Sequence, residues 1–239
     1  MKPIHKQNDP KIPLSEHLLE LRQRSLQSCL MFSLSVIFCL ININKIIDIL
    51  QIPAKNVHFF QLAPGEYFFT SMKVIFYSSL IITSPFLIYQ ILIFILPGLT
   101  NDERKIVIPI IGSSFILFIS GLLFAYLIII PASLNFFIQY SDSRIDLLWS
   151  FEEYFNFILL SLISTGISFQ IPIIQISLGL IRIIDSNNMM KFWKEIVIAS
   201  TIFSAIITPS TDPLTQILVS IIMLILYFSG ILVLRLVNF

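Results

Sequence analysis

The chain has 239 residues, of which 56% are hydrophobic and 12% charged, with a mean hydropathy of +0.89. A soluble domain carries about a quarter of its residues as charges, so this chain lacks the means to cover a soluble surface. Its formal net charge of +1, from 15 Lys+Arg against 14 Asp+Glu, excludes a nucleic-acid surface, which needs a strong cationic excess.

A membrane protein remains. In chain order, uncharged stretches run over 25–44, 74–101, 106–141, 154–181, 196–211 and 213–234. A helix span needs about 20 apolar residues, so the stretches predict an all-α polytopic fold of six transmembrane helices in one membrane domain over 1–239. The spans are placed at 25–44, 74–97, 106–137, 154–180, 195–208 and 213–234. Ahead of the first, Leu14, Leu18 and Leu21 recur at helical spacing behind Ser15 as a helix cap, which predicts an amphipathic helix at the interface. Pro109 and Pro131 predict a kinked third span, kept as one tilted helix. The fifth stops at Pro209 and Pro213 opens the sixth, so the last two helices are expected to be short, with a thinned bilayer around them. The connections over about 45–70 and 139–153 are long enough to cap the far side.

Six spans put both termini on one face. The face holding the termini collects 11 cations, including Lys2, Arg24, Arg104, Lys191 and Arg235, while the other has 4: Lys45, Lys55, Lys73 and Arg144. The positive-inside rule makes the first face cytoplasmic or stromal. Trp193 on that face, and Trp149, Tyr140 and Tyr154 on the other, are expected as interfacial anchors.

Each polar residue admits two readings. Glu16, Glu20, Arg22 and Arg24 are either solvated charges that orient the first helix, or Glu20 faces a ligand. Asp102 and Glu103 suit the first turn of a helix through its dipole, or form with Glu20 a two-carboxylate site for a dibasic partner. Gln170, deep in the fourth span, seeks a partner either on a neighbouring helix of the same chain or on a guest helix. Asp212 reads as a helix cap before Pro213. The sequence shows no metal-ligand cluster, nucleophile triad or phosphate loop, so no cofactor, metal or enzymatic activity is expected. Uncharged span centres weigh against the alternative of a six-span secondary solute or ion transporter.

Several of these residues fall into recognisable runs: 17–24 (HLLELRQR), 85–90 (PFLIYQ), 94–99 (FILPGL), 103–105 (ERK), 169–172 (FQIP) and 208–216 (TPSTDPLTQ). Together they resemble TatC, the six-span receptor subunit of the twin-arginine protein translocase, in order from Leu14 to Gln216. The resemblance implies a core receptor that binds Arg-Arg signal peptides of folded precursor proteins and nucleates a translocation complex driven by the proton gradient. It implies that Glu20 and Glu103 recognise the paired arginines, with Arg22 and Phe94 close by. It further implies that Thr208 and Gln216 belong to a polar patch for single-span TatA/TatB-type subunits, with Asp212 and Gln170 as further polar positions, and that the receptor self-associates. Gln170 stands where many bacterial members carry glutamate. The run 65–69 (GEYFF), the 208–216 run and an isoleucine content of about a fifth point to the cyanobacterial and plastid branch. A multi-pass protein of the plastid thylakoid membrane is the expectation, with a cyanobacterial or other bacterial inner membrane as the alternative.

Overall fold

The computed structural model describes residues 14–54, 57–95, 101–140, 148–180, 186–207 and 213–236. Helices make up nearly all of it: α1 (Leu14–Ile41), α2 (Ile43–Gln51), α3 (Glu66–Ile95), α4 (Asn101–Phe124), α5 (Ile130–Tyr140), α6 (Phe151–Ser168), α7 (Ile171–Leu180), α8 (Ser186–Lys191), α9 (Trp193–Ile207) and α10 (Pro213–Leu236). Two short strands, β1 (His58–Phe60) and β2 (Leu148–Ser150), pair in parallel with His58 opposite Leu148.

Five segments are long and apolar enough to cross a membrane: Leu18–Ile41, Glu66–Phe94, Pro109–Gln139, Phe151–Gly179 and Thr215–Leu236. They correspond to five of the six expected spans. The remaining one is α9, whose 15 residues reach about 22 Å, short of the roughly 30 Å hydrocarbon core.

The elements differ from expectation in three places, and the third span stays continuous as expected. The amphipathic segment 14–24 is not a separate interfacial helix. No glycine or proline interrupts residues 14 to 41, so it runs unbroken into the first span. That span then ends at Ile41, where Asn42 turns its side chain back to donate to the Phe38 carbonyl and the chain bends into α2. The third span stays one rod, α4 and α5 joined by a π-helical turn over Ala125–Ile129. Pro131 follows that turn and leaves the Leu127 carbonyl without its helical donor. The fourth span breaks at Phe169–Gln170 into α6 and α7, where Pro172 cannot donate to the Ser168 carbonyl and Gln170 bonds to Ser114 instead. Finally, α10 is not short. It has 24 residues and tolerates Arg235 in its last turn, where a cation meets the negative end of the helix dipole. Only α9 fulfils the expectation of a short helix.

The two long connections do form a cap. Glu66 is its staple: Oε2 accepts from the Leu62 and Ala63 N–H groups at 2.6 and 3.2 Å, and Oε1 accepts from Ser150 Oγ and the Glu152 N–H at 3.3 and 3.1 Å. Gly65 makes the turn before it with φ +89°, a conformation an L side chain rarely adopts. Phe59, Phe151, Tyr154 and Phe155 pack edge and face beneath the strands. Tyr154 is therefore no lipid-facing anchor. It is 4% exposed and donates its hydroxyl to the Leu50 carbonyl at 2.8 Å, as Tyr126 does to that of Ile49. Lys73 Nζ meets Glu152 Oε1 and Asn156 Oδ1, tying α3 to α6 just below the cap.

At the other side of the bundle α7 lies tightly on α10. Gly179 faces Leu234, and Gly230 faces the Gln175 amide and the Pro172 backbone. Gln175 is buried, and neither its oxygen nor its nitrogen has a hydrogen-bond partner.

Candidate functional site

Residues three and four apart share a helix face, so Glu20, Arg24 and Gln27 line one stripe of α1, and Gln90 and Phe94 one stripe of α3. The stripes meet because the two helices pack antiparallel. Arg24 pairs with Gln90, and further along Thr83 Oγ1 donates to Ser35 Oγ at 3.0 Å. One turn beyond the Arg24–Gln90 contact, toward the end of the bundle, lies Glu20 on α1 and Phe94 on α3. Two residues far apart in sequence thus stand at one level.

The polar contacts form a chain. Arg24 Nε donates to Glu20 Oε1 at 3.0 Å, Nη2 donates to the same oxygen, and Nη1 donates to Gln90 Oε1 at 3.0 Å. Gln90 Nε2 in turn donates to Gln27 Oε1 at 3.0 Å. These bonds fix which way the Gln90 amide points, oxygen toward the cation and nitrogen toward Gln27. Gln90 is buried, while the side chains of Arg24 and Glu20 keep 20% and 29% of their surface exposed. The pair is partly exposed and anchored from behind by Gln90.

Of the residues singled out from sequence, Glu20 and Phe94 stand at the same level of the α1–α3 pair. Arg22 is exposed and, two positions from Glu20, points away from the stripe. Glu103 lies in the first turn of α4, which begins at the end of the bundle where α3 stops; its side chain lies outside the described residues. Gln170 is met within the chain: Ser114 Oγ donates to its Oε1 at 2.6 Å and its Nε2 donates to the Ser114 carbonyl at 3.2 Å. Ser114 also lines, with Pro85, Tyr89, Leu92 and Phe115, an apolar recess of about 440 Å³ between α3 and α4. Gln216 joins α10 to α9 through its carbonyl, which accepts from Ser204 Oγ. Thr208 and Asp212 lie outside the described residues. Sequence reasoning missed Arg24 and Gln90 as members of the site. The Glu20–Arg24 spacing and a glutamine inside an apolar span were the available signals.

A family model described as Sec-independent protein translocase protein (TatC) matches residues 16–221. An uncharacterized TatC-like protein of Cyanidium caldarium is 52% identical over 232 residues, covering 97% of both chains. The TatC protein of Synechocystis is 46% identical, over 94% of this chain and 88% of its own. The chloroplastic protein of Pisum sativum is 43% identical, over 93% of this chain and 64% of its own. A crystal structure of the twin-arginine translocase receptor TatC superposes with a TM-score of 0.81 at 30% identity, covering 92% of this chain and 98% of that one. That fold likeness covers most of the chain, and the relatives include both cyanobacterial and chloroplast proteins. This chain belongs to the TatC family of Sec-independent protein translocase proteins, a family of transport proteins and not of enzymes.

Proposed function

We propose that this chain is the core receptor of a twin-arginine translocase and that Glu20 and Glu103 receive the paired arginines of signal peptides, with Phe94 at the level of Glu20 and Arg22 on another face of α1. The observation that carries this is the packing of α1 against α3, which sets Glu20 and Phe94 at one level at the end of the bundle where α4 also begins. A guanidinium presents a planar fork of N–H donors to a carboxylate, whereas lysine presents a hydrated point charge, so carboxylates at this end favour Arg-Arg over Lys-Lys. The apolar stretch of the peptide would then lie along the recess beside Ser114 and Gln170. Single-span subunits would assemble on α9 and α10, with Thr208, Asp212 and Gln216 as their polar contacts, and copies of the receptor would associate.

In this reading α9 is the fifth of six spans, crossing a locally thinned bilayer. Both termini then return to the stromal face, in keeping with the cation bias, and the membrane is the thylakoid of a plastid. The proton gradient supplies the driving force.

The test is titration of a labelled signal peptide into the protein in lipid nanodiscs. The Arg-Arg peptide is expected to bind about tenfold more tightly than Lys-Lys, and Glu20→Ala or Glu103→Ala to weaken Arg-Arg binding ten- to a hundredfold, roughly one lost charge-assisted contact each. Equal binding in all cases would sink the assignment. A photo-crosslinker at position 170 is expected to capture the apolar stretch of the peptide. Capture of this chain's own helices alone would confine Gln170 to its pairing with Ser114.

A further inference from the structure

The receptor reading gives Arg24 no task, yet Arg24 is the group seated on Glu20. Two of its N–H donors converge on Glu20 Oε1, and its third nitrogen is bound to Gln90 Oε1. The oxygen that a guest arginine would seek is already served by a guanidinium. We propose that Arg24 is a resident stand-in: it occupies Oε1 of the Glu20 carboxylate until a guest guanidinium displaces it, and this exchange sharpens the preference for arginine over lysine. The idea rests on the proposal that Glu20 receives a guest arginine.

Exchanging one guanidinium for another preserves the number and kind of hydrogen bonds at the carboxylate. A lysine guest brings one compact, strongly hydrated ammonium, which does not reproduce a fork of two N–H groups on one oxygen. Displacing Arg24 is therefore close to even for an arginine guest and uphill for a lysine guest. A carboxylate without a resident would admit either cation at less cost and discriminate less.

Gln90 makes the exchange feasible. Its oxygen holds Nη1 independently of Glu20, and its own nitrogen is held by Gln27, so the acceptor stays aimed when Glu20 changes partner. An arginine displaced with no second acceptor would leave a partly buried cation unpaired, which is costly. Here it stays tethered. A role limited to aiming the carboxylate makes the opposite prediction, that removing Arg24 weakens the guest.

The test compares Arg-Arg and Lys-Lys signal peptides on the full chain in nanodiscs, using Arg24→Gln, Arg24→Lys and Glu20→Ala. Arg24→Gln is expected to tighten Arg-Arg binding about twofold and Lys-Lys binding about tenfold, so the preference ratio falls roughly fivefold, in the range expected for a partly exposed ion pair with added hydrogen bonds. Arg24→Lys keeps the charge and the helical spacing, guards against loss of fold, and should give a ratio between the two. An unchanged ratio in both Arg24 variants, or weaker Arg-Arg binding in Arg24→Gln, overturns the stand-in while leaving Glu20 as the receptor carboxylate, provided Glu20→Ala abolishes the preference. A wild-type protein without preference, or a Glu20→Ala variant that keeps it, overturns the receptor reading and the stand-in with it.

Discussion

Glu66→Ala is expected to open the far-side cap. One carboxylate takes the N–H groups of Leu62 and Ala63 on one oxygen, and the Ser150 hydroxyl and the Glu152 N–H on the other. It therefore stitches the turn that starts α3 to the junction of β2 and α6. Alanine leaves these donors to water and removes the only side chain among the described residues that binds both ends of this junction. Strands β1 and β2 form a two-stranded sheet of three residues each, and a ribbon of that size does not persist unsupported. Amide exchange at Leu62 and Glu152 should accelerate about tenfold or more, since each bond lost is worth roughly a factor of two to ten. Glu66→Gln should fall between, because its amide offers one acceptor oxygen and turns an N–H donor toward the other pair of donors. Exchange at the wild-type rate in the alanine variant would show that the aromatic packing beneath the strands holds the cap by itself.

The second large effect is expected where α7 meets α10. Gly230→Ala would drive a methyl group into the Gln175 side-chain oxygen and to 3.0 Å from the Pro172 Cα. Pro172 is backbone and cannot turn aside, so either α7 moves or Gln175 leaves its seat. Overpacking of this kind costs roughly 1–3 kcal/mol, read as a lowered unfolding midpoint in detergent or nanodiscs. Gln175 has neither amide atom hydrogen-bonded, so its removal sacrifices packing but no hydrogen bond. The double variant Gly230→Ala with Gln175→Ala should consequently recover stability relative to the sum of the singles, with a coupling of about 1 kcal/mol or more. Simple additivity would mean that the methyl group is accommodated by tilting α10, and that Gln175 is not what it strikes.

The charge-free stretches mark where the chain is apolar but not where its helices break. Pro172 sits just past the break between α6 and α7, yet Pro85 and Pro109 lie inside α3 and α4, which continue through them. In a membrane, neighbouring groups re-satisfy a carbonyl freed by proline, so proline alone does not decide; at Gln170 the alternative is the exchange of two hydrogen bonds with Ser114. Tyr154 was misread for a related reason. An aromatic residue at a span end suggests an interface anchor, but its hydroxyl finds Leu50, 104 positions earlier. Strands of three residues fall below any periodicity. For the candidate site, Glu20 and Phe94 were legible through their runs, and Glu20–Arg24 through its spacing of four. The Gln90 acceptor was not, since it lies 66 positions from Arg24 and joins it only when α1 and α3 pack.

Helix α1 is the least enclosed of the five apolar segments: 11% of its most apolar window is buried inside the fold, against 61% for the segment spanning α6 and α7. Lipid tails are as apolar as leucine, so they give such a helix no preferred azimuth about its own axis. The setting comes from contacts with α3 at three heights: Arg24 with Gln90, Phe32 with Phe76 at 5.5 Å between ring centres, and Ser35 with Thr83. These act as keys on a shaft. A rotation by a single residue, about 100°, would carry Glu20 out of register with Phe94 without exposing any apolar surface to water. Which way the carboxylate faces is thus decided by a few side chains spread along α1, and loosening the keys would misdirect it while leaving the helix fully folded in the bilayer.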